Sequence, residues 1–577
     1  MTARLTALLF VALAVIACGE RNEPKGPVKP DWPAFVEQFV EDWFEAHPTM
    51  GFAAGRTEFA GRFPDWSATG ISAEIARLKS VAADANAFDA AKLTDAQRFE
   101  RDYLLAVVDR NLFWLERADW PMRNPTFYFD WNLDFLSPDP YLTKPYAPLD
   151  ARLRDFTTWL SNVPAATGQI RANLRTPMPR TWIDQGVASF GGMVPFLRDD
   201  APQVFEEVKD EALQKAYADA NAKAIAAFKA LADWLEAQRA TQTEDYAIGA
   251  ELFSAMLAET EGLEVPLDRL LEAGKADLAR NLAALDEACK EFAPGRDRKG
   301  CMAKMNANRP KGGAVEGARK QLDVLRAFVV EHKLATIPSD DPIRVDQAPP
   351  YQATNFAYIN PAGPYDKGMP STYYIAPPDP SWPQAEQDAY TPGVADLMST
   401  SVHEVWPGHF LHSLHSNRSE SPIGRLFLSY AFTEGCAHYA EEMMWEAGLT
   451  GELAGGRAEY RVGQINKALY RNVRYICAIG MHTQGMKVED CERMFREEAF
   501  QDPGNARQQA ARGTYDPGYL NYALGKLMIR KLRDDWTATR GGQVAWGKFH
   551  DELLSFGGPP VPMARKAMLA DAAGPAL

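Results

Sequence analysis

The sequence predicts a mainly α-helical protein with a small β element near its middle. Three observations carry this: long segments with apolar residues at spacings of three and four, one Pro-, Tyr- and Gly-rich interruption between about 336 and 393, and a return to helical patterning from about 394. The 577 residues are 46% hydrophobic, 24% charged and 11% aromatic, the profile of a folded chain, which excludes a long disordered or collagen-like one. With 77 acidic against 62 basic residues the formal charge is −15, and no Lys/Arg block offsets it, which argues against nucleic acid as a partner.

The chain starts with one Arg and an apolar run from Leu5 to Ala17, too short to span a bilayer comfortably and suited to a signal-peptide core. Val15-Ile16-Ala17-Cys18 resembles a lipoprotein box, with Cys18 as the lipidated residue; simple cleavage near Ala17 is the alternative. Residues 1–18 are therefore read as a lipoprotein signal and 19–30, GERNEPKGPVKP, as a polar tether. Gly19 after the cysteine fits, by resemblance to the enterobacterial sorting rule, a lipid anchor in the outer membrane facing the periplasm. That lipid is the expected membrane contact. Oligomeric state has no signature.

Residues 31–335 form the N-terminal helical half. Its periodic segments run over about 94–117, 205–238, 265–292 and 313–334, and Thr94-Asp95-Ala96-Gln97 supplies an N-cap and a first turn. Cys289 and Cys301 flank the breaker-rich Ala293-Pro294-Gly295, so a bridge pinning that loop is expected; Cys477 with Cys491 is a second candidate pair. No C-x-x-C occurs, against a thiol redox motif or cysteine-based zinc knuckle. Residues 336–577 form the second half, with short strands expected at Thr354–Asn360 and Ser371–Ala376. The latter is a candidate edge strand for aligning an extended peptide. Gly186-Val-Ala-Ser189-Phe-Gly191 is not a G-x-S-x-G elbow, and there is no P-loop or G-x-G-x-x-G.

Of nine histidines, five, His403, His409, His412, His415 and His438, lie between positions 403 and 438. His403-Glu404-Val405-Trp406-Pro407-Gly408-His409 begins like H-E-x-x-H but places the second His at i+6. On a regular helix i+4 returns to within about 40° of the start, whereas i+6 lies about 120° away. Both imidazoles meet one ion only if two residues are looped out, and Pro407-Gly408 suits that, because Pro breaks the ladder and Gly tolerates the turn. Further on, Glu434 stands in Thr433-Glu-Gly-Cys-Ala-His-Tyr-Ala-Glu441, with Glu434, His438 and Glu441 on one helix face. Two histidines and a glutamate from separate segments are the donors of a catalytic zinc site with an open fourth position. His403, His409 and Glu434 are the expected ligands of one Zn2+, and Glu404 the general base toward a water that the ion acidifies.

These two blocks resemble the bacterial domain-of-unknown-function family 885, grouped by motif with the gluzincin metallopeptidases. The family's H-E-x-x-P-G-H and E-G-W-A-x-Y-A-E match His403, Glu404, Pro407, Gly408, His409 and Glu434, Gly435, Ala437, Tyr439, Glu441. Weaker likenesses extend over His47-Pro48-Thr49, Pro370 to Tyr374, Arg474 with Gly480, His482 and Gly485, Pro517-Gly518 and Tyr522 to Gly525. The resemblance implies a large multi-helix, gluzincin-like architecture with a small sheet near the site, a deep channel, one zinc and peptidase-like hydrolysis. Departures are Cys436 for the usual Trp, His438 for Leu, His412 for Gln, Ala478 for Asp, and a spacing from Pro517 to Tyr522 one residue shorter than the common form. Ala478 removes a candidate carboxylate for supporting a ligand, and His438 is a candidate for a competing metal contact.

Tyr522 is the candidate donor to a tetrahedral oxyanion, with packing on an amphipathic helix as its alternative role. His482 and Arg474 are candidates for binding a substrate carboxylate or the oxyanion, set against helix capping and packing. His412 and His415 share a face, with solvated or satisfied histidines as the commoner outcome, and Glu441 either orients a ligand His or is surface charge. The functional expectation is a zinc metallopeptidase of the cell envelope acting on small or unfolded peptides. An amidase on non-peptide or cell-wall amides, a metal-binding lipoprotein without turnover, and an envelope scaffold remain open.

Overall fold

The fold is described from a computed structural model, over residues 31–129, 136–348, 356–378, 383, 384, 387, 390–450, 453, 455–570 and 573–577. The expected signal and tether at 1–30 lie outside these residues. The first helix expected from periodicity, α1 (Asp95–Leu112), follows two other long helices at Trp32–Ala46 and Ala68–Asn86 and starts as its sequence dictates. Thr94 Oγ1 accepts from the Gln97 amide at 3.2 Å, and Gln97 Oε1 accepts from the Thr94 amide at 3.0 Å, closing a capping box. The periodicity to 117 continues as a wider π-turn, Phe113–Arg117. Next come α2 (Leu149–Asn173) and α3 (Glu211–Ala237), packed on each other. Helix α3 begins six residues later than its periodicity suggests, because Asp210 caps it by accepting from the Leu213 amide at 3.0 Å. Then follow α4 (Ala250–Glu261), α5 (Leu267–Phe292) and α6 (Ala314–Glu331).

The Pro- and Tyr-rich middle holds a three-stranded sheet of β1 (Ile343–Gln347), β2 (Ala357–Asn360) and β3 (Ser371–Ile375), in the order β1-β3-β2. Strand β1 pairs parallel with β3, Val345 opposite Tyr373, while β2 pairs antiparallel, Ile359 opposite Tyr373. This corrects the edge-strand expectation. Ser371–Ile375 is the central strand, so its main-chain groups are committed on both sides and cannot take up a peptide. Strand β1 carries too little alternation to be recognised from sequence.

The second half contributes α7 (Val394–Glu404), α8 (His409–Ser416), α9 (Tyr430–Glu446), α10 (Arg457–Thr483), α11 (Pro503–Tyr515) and α12 (Asn521–Thr537). Its helices do not stand apart from the first half: one apolar core runs through both, from Trp32 to Met568. Both candidate disulfides form, Cys289–Cys301 and Cys477–Cys491, with Cα separations of 5.8 and 5.7 Å; Cys436 is free. Among the described residues no helix is long and apolar enough to cross a membrane.

A buried ionic cluster ties α5 to the helices of the second half. Asp277 accepts from Lys526 Nζ at 2.6 Å and from Asn472 Nδ2 at 2.7 Å, and Arg280 bridges Asp277 to Glu442. Lys526 and Asp277 are 1% and 2% exposed in their side chains, so neither charge has water as a fallback. Breaking such a pair from one side strands the other charge. Lys526→Met is expected to lower unfolding free energy by about 3–5 kcal/mol, read as a drop in the urea midpoint; an unchanged midpoint would show that the cluster does not brace the fold.

Candidate metal centre

Helix α7 ends at Glu404, the backbone departs from helical angles at Val405, a cis peptide precedes Pro407, and α8 begins at His409. The interruption takes in Val405 to Gly408, wider than the dipeptide expected. Gly408 packs against the preceding turn so closely that a Cβ there would fall on the carbonyl oxygen of His403. This turn converts the awkward i+6 spacing into convergence. The two imidazole centroids are 4.7 Å apart with ring planes at 86°.

Glu434 reaches the same point from α9. Its Oε2 lies 3.3 Å from His403 Nε2 and 3.4 Å from His409 Nε2. A tetrahedral ion with arms of about 2.0–2.1 Å has ligand-to-ligand edges of about 3.3–3.4 Å, so this spacing suits one zinc-sized cation. The same Oε2 is buried without a hydrogen-bond partner, an orphan acceptor of the kind a cation satisfies. Ligand atoms of His403, His409 and Glu434 all lie within 4.8 Å of one another. The residues present therefore fit a single divalent ion.

Glu441 fixes the orientation of His403. The His403 Nδ1–H donates to Glu441 Oε1 at 2.8 Å, which leaves Nε2 facing Glu434 and His409. Arg471 Nη2 forms an ion pair with the same oxygen at 3.1 Å, and its Nη1 donates to Glu441 Oε2 at 3.4 Å. Burial and Arg471 pull the His403 pKa down, but Glu434 and Glu441 outweigh them and push it up to about 9. Against its own burial, the Glu434 carboxyl is held well below the usual range by His409 and His403. Helix α9 is brought in by a close crossing with α12: a Cβ on Gly435 would stand 2.5 Å from the Gly525 Cα. That crossing also delivers Tyr522.

Glu404, 7% exposed, makes no hydrogen bond or ion pair to another described residue. The Tyr373 phenol of β3, pushed up by burial and then by the Glu404 charge, sets the sheet beside it. Tyr522 stacks near His403, centroids 6.4 Å apart and planes within 16°. Burial and the Glu434 charge raise its pKa, so the phenol keeps its proton. Three guanidinium groups gather at its ring, Arg474, Arg471 and Arg512 at 4.7, 5.6 and 5.9 Å from the centroid. Arg471 and Arg512 were not singled out from sequence; the only trace was Arg471 lying one helical turn before Arg474.

His482 is corrected: it is not at the site. Its Nε2–H donates to the Gly513 carbonyl at 2.7 Å, and Nδ1 accepts from the Ile248 amide at 3.4 Å, so both nitrogens are spent on backbone. His412 and His415 likewise donate to the Gly557 and Thr336 carbonyls, at 2.7 and 2.8 Å. His438 is fully buried on the other side of Glu441, its Nδ1 3.4 Å from Glu441 Oε2, and does not join the ligand cluster. Glu441 is no surface charge, being fully buried, and Ala478 lies in the core.

Residues 48–568 match the model of DUF885, described as bacterial protein of unknown function. The chain belongs to this family. No curated protein matches it. A solved structure from Shewanella oneidensis, described as "a putative lipoprotein of unknown function", is similar to this chain at 23% identity with TM-score 0.75, covering 94% of this chain and 100% of that one. A second, "the putative lipoprotein from Colwellia psychrerythraea", is 16% identical with TM-score 0.74, covering 92% and 97%. At these identities the likeness establishes the fold: this DUF885 chain shares a mainly helical architecture with a small sheet.

Burial pushes His482 and His550 down to about 4, against about 6.5 in an unfolded chain. The unfolded state then binds more protons, so stability is full above pH 6.5 and lost as pH falls toward 4. Each histidine contributes a slope of up to about 1.4 kcal/mol per pH unit. The urea midpoint is expected to fall between pH 7 and 5, and less steeply in His482→Asn; identical slopes for the two proteins would contradict a neutral, buried His482.

Proposed function

We propose that the protein is a zinc-dependent hydrolase of peptide bonds in small or unfolded peptides, held in the cell envelope by a lipid on Cys18. The observation that carries the reading is the trio His403 Nε2, His409 Nε2 and Glu434 Oε2, in which the buried, unpartnered glutamate oxygen stands 3.3 and 3.4 Å from the two imidazole nitrogens, while Glu404, adjacent to His403 in the chain, makes no hydrogen bond or ion pair to another described residue. The envelope placement is supported by the lipobox reading and by the lipoprotein descriptions of the two similar structures.

The site would be held by His403, His409 and Glu434. When bound, zinc supplies Lewis acidity that acidifies water and polarises a carbonyl. Glu404, without a partner among the described residues, takes a proton from the attacking water and passes it to the leaving nitrogen. The Tyr522 phenol, kept protonated, donates to the oxygen that gains charge as the carbonyl carbon becomes tetrahedral. Arg471 acts through Glu441, keeping that carboxylate ionised and His403 in the tautomer that presents Nε2. A channel between the helices, as the family resemblance implies, would admit short or unfolded chains and exclude folded ones.

Purified protein is expected to hold one zinc per chain and to hydrolyse members of a broad peptide library, with activity abolished by chelation. Glu404→Gln is expected to keep zinc and lose at least about 100-fold in kcat, the scale of general-base catalysis. His409→Ala is expected to lose zinc; zinc retained in full would assign the ligand to another residue. Stoichiometric zinc without turnover on any peptide would favour a binding role.

A further inference from the structure

Of the three guanidinium groups around Tyr522, two are neutralised by carboxylates and one is not. Arg471 pairs with Glu441 at 3.1 Å, and Arg512 with Asp516 at 2.8 Å. Arg474, 6% exposed, has no carboxylate within ion-pair distance among the described residues. Its Nε donates to Gln509 Oε1 at 2.9 Å, and its two terminal NH2 groups make no hydrogen bond to another described residue. Its Cζ lies over the rings of Tyr470 and Tyr522, 4.5 and 4.7 Å from their centroids. With Nε engaged by Gln509, the two NH2 groups are the donors left without a partner among the described residues, and together they form the edge that matches a carboxylate in a bidentate pair.

A buried cation without a counter-ion is costly, so its retention beside a reactive centre calls for an anion that arrives with the substrate. We propose that Arg474 receives the C-terminal carboxylate of a short peptide, making the protein a carboxypeptidase that releases one residue or a dipeptide. The length follows from the steps involved. Arg474 is 4.7 Å from the Tyr522 ring, whose centroid is 6.4 Å from that of His403, and an extended residue spans about 3.3–3.6 Å. End to end these steps place Arg474 within about 11 Å of the His403 ring centre; the guanidinium–carboxylate pair at one end and the metal arm at the other take up part of that reach, which leaves one or two extended residues between the terminus and the cleaved bond. In the step itself, water adds its oxygen to the carbonyl carbon, the C–N bond breaks, and the water proton goes by way of Glu404 to the departing amine, which leaves on the fragment held by Arg474.

The assignment of products rests on the hydrolase reading, but the carboxylate pocket is measurable without turnover. The test is calorimetric binding of three peptides to metal-free protein and to Glu404→Gln: N-acetyl-Ala-Ala-Ala as the free acid, its C-terminal amide, and N-acetyl-Ala-Glu-Ala amide. The free acid is expected to bind on the order of ten- to a hundredfold tighter than either amide, the scale of charge-assisted hydrogen bonds. Arg474→Gln is expected to abolish the difference and Arg474→Lys to keep part of it. Equal binding of acid and amide by the unmutated protein overturns the proposal even if Arg474→Gln fails to fold. Tight binding of the glutamate-containing amide overturns the terminal assignment in favour of an acidic side chain. Mass analysis of digested peptide acids is expected to find single residues or dipeptides from the C-terminus, and cleavage confined to internal bonds overturns it. Acid-selective binding without any hydrolysis supports the pocket and sinks the hydrolase reading alone.

Discussion

The carboxylate of Glu441 is the anchor on which the site depends. A fully buried anion persists only if it is paired, and Glu441 is paired from two other helices, by His403 of α7 and Arg471 of α10, while it sits on α9. One charge thus fixes the relative position of three helices, and two of them carry metal-ligand candidates. Its neighbour Glu442 faces the opposite way into the Asp277–Lys526–Arg280 cluster, so consecutive residues tie α9 to the site on one side and to α5 and α12 on the other. The Gly435–Gly525 crossing sets how deeply α9 and α12 approach, and hence where Glu434 and Tyr522 stand relative to each other.

Charge is graded across the site. At one end two histidines converge on the unsatisfied Oε2 of Glu434; beyond Tyr522, cations outnumber the carboxylates that pair with them among the described residues. Tyr522 lies between, stacked toward His403 on one side and toward guanidinium groups on the other. A neutral donor between the candidate metal-ligand trio and a cationic pocket would suit a substrate whose carbonyl and carboxylate are a residue or two apart. The proposed mechanism and the proposed specificity draw on one arrangement.

Much of this was legible in the chain because it is local. The Thr94–Gln97 capping box, the pairing of Cys289 with Cys301 across a short breaker loop, and the need to interrupt the helix between His403 and His409 all follow from spacing alone. What sequence could not give depends on distant partners. His482 looks like a site residue until Gly513 and Ile248 are found on its two nitrogens. Ser371–Ile375 looks like an available edge until β1, with its weak alternation, is found beside it. Arg471 and Arg512 come from different helices, and nothing in their neighbours announces that both reach Tyr522. Family 885 membership covers residues 48–568 and the two similar structures carry the fold, while the roles proposed within the site rest on its own geometry.

The central claim is that His403, His409 and Glu434 share one cation. Anomalous diffraction from crystals of the purified protein, recorded above and below the zinc absorption edge, tests it most directly. The account predicts a single strong peak within bonding distance of His403 Nε2, His409 Nε2 and Glu434 Oε2, present above the edge and absent below it. No peak among these three atoms in zinc-supplemented crystals, or a peak held by other residues, would contradict it.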